Sequence, residues 1–171
     1  MKTLRLLLTL SLAGSAALFA ADKQTSSSRV EVTFTEPEKF TDVKDSSFGS
    51  DKGRDATLEE FRDFITKRAE KLLPDGQKLS VNFTDIDLAG DYEPWRGPRG
   101  DDIRIVKDIY PPRLKFSYKI TDAAGAVIKE EKKEISDLSF QMRLTIDRQD
   151  PLRYEKDLLS DWMKKDLRTK K

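Results

Sequence analysis

Neither cysteine nor histidine occurs in this chain of 171 residues. Without cysteine there is no disulfide, no thiol nucleophile and no thiolate metal site, so the fold must rest on its hydrophobic core. Without histidine there is no imidazole base, no Ser-His-Asp triad and no ordinary zinc site. Catalysis would have to use carboxylates, lysine, tyrosine or a Ser-Lys pair, and a bound metal would be a hard, oxygen-ligated ion such as Ca²⁺ or Mg²⁺. An excess of one charge is missing as well, since 32 Lys and Arg stand against 31 Asp and Glu. The signs are interspersed, which reads as a solvated mixed-charge surface. Near neutrality excludes the summed phosphate neutralisation that drives nucleic-acid binding. No convincing Ser-x-x-Lys arrangement is present, and Gly97-Pro98-Arg99-Gly100 lacks the Lys-Ser/Thr that a phosphate loop requires.

Long apolar runs are absent except at the start. Lys2 and Arg5 are the only charges in residues 1–21; Leu6 to Phe19 is mostly apolar, and Ala20 and Ala21 precede the first acid, Asp22. A positive front, a short apolar stretch and small residues at its exit mark a secretory signal peptide. The apolar stretch is about 14 residues, short of the roughly 20 that span a bilayer. Cleavage is expected after Ala20, with Ala17 the second choice; a retained membrane anchor is the alternative. No cysteine follows, so lipoprotein processing is excluded. Removing residues 1–21 lowers Lys and Arg from 32 to 30 against 31 acids, a net of −1. The expected division is a signal peptide over 1–20, a flexible leader over 21–29, one domain over 30–167 and a basic tail over 168–171. No further stretch is apolar enough for membrane insertion, so the expected location is periplasmic or secreted.

Val30, Val32 and Phe34 alternate with polar residues and predict a strand ended near Pro37. Residues 38–56 lack periodicity and read as a loop. Thr57 with Glu60 forms a capping-box pattern, and Leu58, Phe61, Phe64, Ile65, Ala69 and Leu72 make a helical stripe stopped by Pro74-Asp75-Gly76. A strand follows from Leu79, whose apolar phase slips by one after Thr84: Leu79, Val81 and Phe83 give way to Ile86 and Leu88. That slip predicts a bulge. Residues 89–102 read as a Gly- and Pro-rich loop, and 103–109 as a short strand of uncertain facing. Leu114 to Ile120 alternates cleanly, and residues 126–135 return as a charged edge strand. Asp150-Pro151 reads as the N-cap and first residue of a last helix, with Leu152, Leu158, Leu159 and Trp162 inward. The expected fold class is α+β: a mainly antiparallel sheet of four to five strands with two helices packed on one face.

The densest polar cluster is residues 85–104. Asp85 and Asp87, two apart on one strand face, can share a cation or push one carboxyl pKa upward, as an acid/base pair requires. The cluster is no EF-hand, because Ala89 and Arg96 occupy the fifth and twelfth positions counted from Asp85. Asp85 and Asp87 paired with nearby arginines or with bulge amides is the structural alternative. Trp95 and Arg96 lie in a proline-bracketed segment, and such residues dominate binding hot spots; Trp95 plugging one end of the core is the alternative. The candidate binding set is therefore Asp85, Asp87, Glu93, Trp95, Arg96, Asp101, Asp102 and Arg104. No catalytic residue, metal ligand set or cofactor is assigned. The Arg99-Gly100-Asp101 tripeptide occurs too easily by chance to carry weight, and Tyr110-Pro111-Pro112-Arg113 reads as a stiff lead into a strand.

The stretches VEVTFTEPEKFTD (30–42), TDIDLAGDYEPWRG (84–97), DDIRIVKDIYPPRLKFSY (101–118) and DPLRYEKDLLSDW (150–162) resemble a bacterial family of exported proteins, the domain-of-unknown-function family numbered 3016. The resemblance implies an envelope location and a single domain, and it carries over no functional residue. The expected function is non-catalytic binding of an envelope protein or a small ligand, with no nucleic acid. The rival is a carboxylate- or hard-metal-dependent hydrolase built on Asp85, Asp87, Asp101 and Asp102. Convergence of those carboxylates without arginine partners would favour the hydrolase. Carboxylates each satisfied by Arg96, Arg99 or Arg104 would favour a structural role.

Overall fold

A computed structural model of the chain describes residues 28–93, 103–143 and 148–168. Strand β1 (Val30–Phe34) buries Val30 and Val32 and exposes Glu31 and Thr33, as its alternation requires. A parallel neighbour needs a crossover. Helix α1 (Asp51–Ala69) provides it before β2 (Lys78–Asp87) returns beside β1. α1 starts about two turns earlier than the capping-box pattern predicts. Ser50 is the N-cap, its Oγ accepting the Gly53 amide at 2.9 Å. Thr57 lies inside the helix and donates back to the Gly53 carbonyl at 3.1 Å. Residues 51–56 include no buried residue, so the first turns carry no apolar period to reveal them. Leu58, Phe61, Ile65 and Ala69 form the buried stripe.

β2 pairs antiparallel with β5 (Arg113–Thr121), and β5 with β6 (Val127–Ser136), giving the order β1-β2-β5-β6. The β2–β5 register slips between Phe83 and Asp85, leaving Thr84 as the bulge residue and keeping both Phe83 and Ile86 inward. Within residues 89–93 and 103–109 the structure differs from the reading as a loop followed by a strand. Asp91–Tyr92 forms β3 and Arg104–Ile105 forms β4, a separate two-stranded ladder that does not join the main sheet. Cross-strand partners far apart in sequence supply that pairing, which no local alternation signals.

Helix α2 (Arg153–Asp166) starts two residues later than Asp150-Pro151 suggested: Leu152 holds the cap position and Asp150 Oδ1 accepts the Leu152 amide at 2.8 Å in a preceding turn. Both helices cover one face. Phe61 meets Phe83 edge-on at 6.1 Å, and Trp162 meets Phe116 and Tyr118 at 4.6 and 5.2 Å. The opposite face carries Glu31, Thr33, Ser80, Asn82, Ser117 and Lys119. β6 is one edge and β1 the other, and the helix-side residues Lys129 and Lys133 of β6 pair with Asp166 at the end of α2. Inward-turned charges of this kind discourage edge-to-edge pairing. No helix among the described residues is long and apolar enough to cross a membrane.

Candidate functional site

The bulge sets the geometry. Because β2 changes parity at Thr84, Asp85 and Asp87 both turn to the face away from the helices, opposite Lys115 and Arg113 of β5. Asp85 is consumed structurally. It accepts the Thr41 amide at 2.8 Å, the Thr41 hydroxyl at 3.1 Å and Lys115 Nζ at 3.2 Å. Burial alone would push its carboxyl up, yet those three donors together hold it below the ordinary carboxylate range.

Asp87 has a different environment. Asp42 sits in a parallel bridge beside it, held by its amide to the Ile86 carbonyl at 3.0 Å and by its carbonyl to the Leu88 amide at 3.1 Å. The half-buried Asp87 carboxyl has no hydrogen-bond partner among the described residues. Burial, followed by the neighbouring Asp42 carboxylate, pushes its pKa up against the opposing pull of Arg113. It lines a pocket of about 300 Å³ together with Asp42, Lys44, Asp91, Tyr110 and Arg113.

Arg104 is the pin of this region. Its guanidinium grips Asp42 bidentately at 2.7 and 3.1 Å, donates to the Gly90 carbonyl at 2.9 Å and the Lys44 carbonyl at 3.1 Å, and lies 4.7 Å from the Tyr92 ring centroid. A planar fork with five donors suits such a junction. Glu93, only 1% exposed, receives Lys107 Nζ and the Tyr110 hydroxyl, the latter at 3.3 Å.

Of the predicted set, Asp85 and Asp87 share one face, while Glu93 and Arg104 each serve a polar network. Trp95, Arg96, Asp101 and Asp102 lie outside the described residues. Arg104 answers Asp42 rather than any of the acids in the candidate set. Among the described residues, no three carboxylates come together in a way that could hold a metal ion.

Sequence reasoning missed Asp42, Lys44, Arg113 and above all Glu155. Glu155 is 1% exposed on α2, and its Oε1 accepts the Ala89 amide at 2.6 Å. Its Oε2 is buried without a hydrogen-bond partner among the described residues. Burial drives its pKa up; the Ala89 amide, its own amide and Arg104 oppose this, and Asp150 adds to the rise. The folded state therefore holds this proton more tightly than the unfolded chain does. That contribution to stability is full below the unfolded pKa and is lost as pH rises through the folded value. Asp85, Asp161 and Asp166 are shifted down, so theirs is lost only as pH falls below the ordinary carboxylate range. Stability measured by urea titration is expected to peak in mild acid and to decline toward pH 8. Glu155→Gln should remove the greater part of that decline, leaving the share due to Asp87. An equally steep decline in the variant would rule Glu155 out as the cause.

A family model described as "Protein of unknown function (DUF3016)" matches residues 28–165. No curated protein and no solved structure matches the chain.

Proposed function

The chain belongs to the family described as Protein of unknown function (DUF3016), and from that premise we propose that it is a non-catalytic binding module acting outside the cytoplasm. The observation that carries this reading is Asp87: a half-buried carboxyl with no hydrogen bond among the described residues, lining a concave pocket that Arg104 holds in shape. Buried polar groups are normally paired, and an unpaired one in a pocket of ligand size is the default mark of a binding site. Trp95 and Arg96, which stand between β3 and β4 in the sequence, join the reading as residue types that dominate binding hot spots. The front of the chain, with its short apolar stretch before Ala21, supports export and an envelope partner or small ligand.

The test is capture of partners from envelope extract by the processed chain, whose N-terminus at Ala21 checks export. Asp87→Asn and Trp95→Ala are each expected to keep the wild-type melting temperature and to lose most of the recovered partner. Recovery at the wild-type level by both variants would remove this surface from consideration.

One observation favours the hydrolase reading: Asp42 is gripped by Arg104 while burial pushes the adjacent Asp87 carboxyl up, so two neighbouring carboxyls sit in unlike surroundings, as acid/base chemistry requires. Binding to the native state raises the melting temperature by mass action. A melt unmoved by millimolar Ca²⁺, Mg²⁺ or Mn²⁺ removes the metal-dependent form of that reading.

A further inference from the structure

The charges around Asp87 come in balanced, unpaired sets. Asp87 and Asp91 supply two carboxylates, and Lys44 and Arg113 supply two cations, all lining the same pocket of about 300 Å³. None of these four side chains forms an ion pair with another described residue, although Asp87 and Arg113 are cross-strand partners. The nearby charges that are paired mark the contrast. Asp42 is taken by Arg104, Asp85 by Lys115 and Glu93 by Lys107. A purely cationic ligand would meet Lys44 and Arg113, and a purely anionic one would meet Asp87 and Asp91, each at a repulsive cost. A ligand with one charge of each sign satisfies both halves.

The walls are fixed before any ligand arrives. Arg104 donates to the Lys44 and Gly90 carbonyls, and the Gly90 amide donates to the Tyr110 carbonyl at 3.0 Å, so three rims of the pocket are tied together. Pre-set walls lower the ordering cost of binding. Beyond Lys44 lies a second groove of about 440 Å³, where Pro37, Phe40, Val43 and Phe48 stand beside Glu38, Ser50, Asp51 and Arg54. Lys44 lines both depressions, and Phe48 at its margin is 86% exposed. A charged head in the first depression can thus extend a side chain toward a second of mixed polar and apolar lining. The Arg54 guanidinium on the far wall is already occupied by Asp51 and Asp55 and adds no free charge.

From this juxtaposition we infer that the pocket binds a ligand carrying one ammonium and one carboxylate, as an amino acid does, its ammonium toward Asp87 and Asp91 and its carboxylate toward Arg113 and Lys44. The inference rests on the reading of the Asp87 pocket as the binding site. Two sources share this chemistry, a free amino acid and a peptide whose C-terminal residue has a side-chain amine.

The experiment is calorimetric titration of the processed full chain with free leucine, free lysine and an N-acetylated peptide ending in lysine. Butylamine and butyrate serve as single-charge controls. A zwitterion is expected to bind at least about tenfold more tightly than either control, a difference of about 1.4 kcal/mol. Asp87→Asn and Arg113→Gln should each erase that preference while retaining the wild-type melting temperature. Free leucine binding as well as the peptide identifies a free amino acid as the ligand; the peptide alone binding identifies a chain terminus. Butylamine binding as tightly as the zwitterions, no binding of any zwitterion at millimolar concentration, or a preference unchanged in both variants overturns the inference. Partner capture that still depends on Asp87 in those circumstances leaves the site standing and removes only the ligand assigned to it.

Discussion

Trp162→Ala is expected to destabilise the domain by about 3–5 kcal/mol, the range for deleting a large buried aromatic. Domains of this size have only about 5–15 kcal/mol to lose, so the variant should unfold at markedly lower urea. The indole is 4% exposed and packs edge-on against Phe116 and Tyr118, the two aromatic side chains at the centre of β5. Removing it empties the contact through which α2 covers the sheet, and neighbours fixed on a strand cannot collapse into the space. Its Nε1 is buried without a hydrogen-bond partner among the described residues. Trp162→Phe should therefore cost far less, because the polar atom it deletes contributes no bond. Urea titrations of both variants check this. A loss below about 1 kcal/mol for the alanine variant, the level of an ordinary surface change, would mean that α2 is held by something else.

Gly90→Ala is expected to cost about 2–3 kcal/mol, combining left-handed backbone strain with a collision. Gly90 has φ of +82°, and a Cβ there would lie 2.8 Å from the Ile105 carbonyl oxygen and 3.1 Å from Arg104 Cγ. The first of these is backbone and cannot swing aside, so the β3–β4 ladder must open. Opening it moves the Gly90 carbonyl away from Arg104 and loosens the grip on Asp42 that shapes the pocket. Gly76→Ala is the control. Its φ of +78° imposes the same strain, but the added Cβ meets only the Ala123 methyl at 3.5 Å. Gly90→Ala should exceed Gly76→Ala in stability loss, and it alone should speed amide exchange at Tyr92 and Arg104. Equal losses with no local change in exchange would show that the close approach to Ile105 is unimportant.

The elements legible in advance were those whose periodicity is set by one buried face. β1, β5 and the main run of α1 follow directly from alternation or a helical stripe, and the slip after Thr84 announced the bulge because burial demands that Phe83 and Ile86 face the same way. The opening turns of α1 were hidden because Asp51 to Ala56 bury nothing there. In the candidate site, the common face of Asp85 and Asp87 was readable from their spacing. The partner of Arg104 was not, since Asp42 lies 62 residues away. Glu155 was invisible for a related reason. A glutamate amid charged neighbours reads as solvent-facing, and only its meeting with the Ala89 amide, 66 residues distant, makes it a buried acid.

By itself, then, the sequence determined the α+β class, the bulge, the charged edge strand and the exclusion of thiol and imidazole chemistry. Each of these depends on composition or on the period of a single element. Tertiary structure alone decided which carboxylate would be left unpaired. Whether an aspartate is neutralised depends on the atoms within a few ångströms of it, and here those atoms come from the Thr41-Asp42 segment after β1 and from β2, β4 and β5. Asp85 and Asp87 are alike in type and share one strand face, yet Thr41 and Lys115 satisfy the first while the second faces an open pocket.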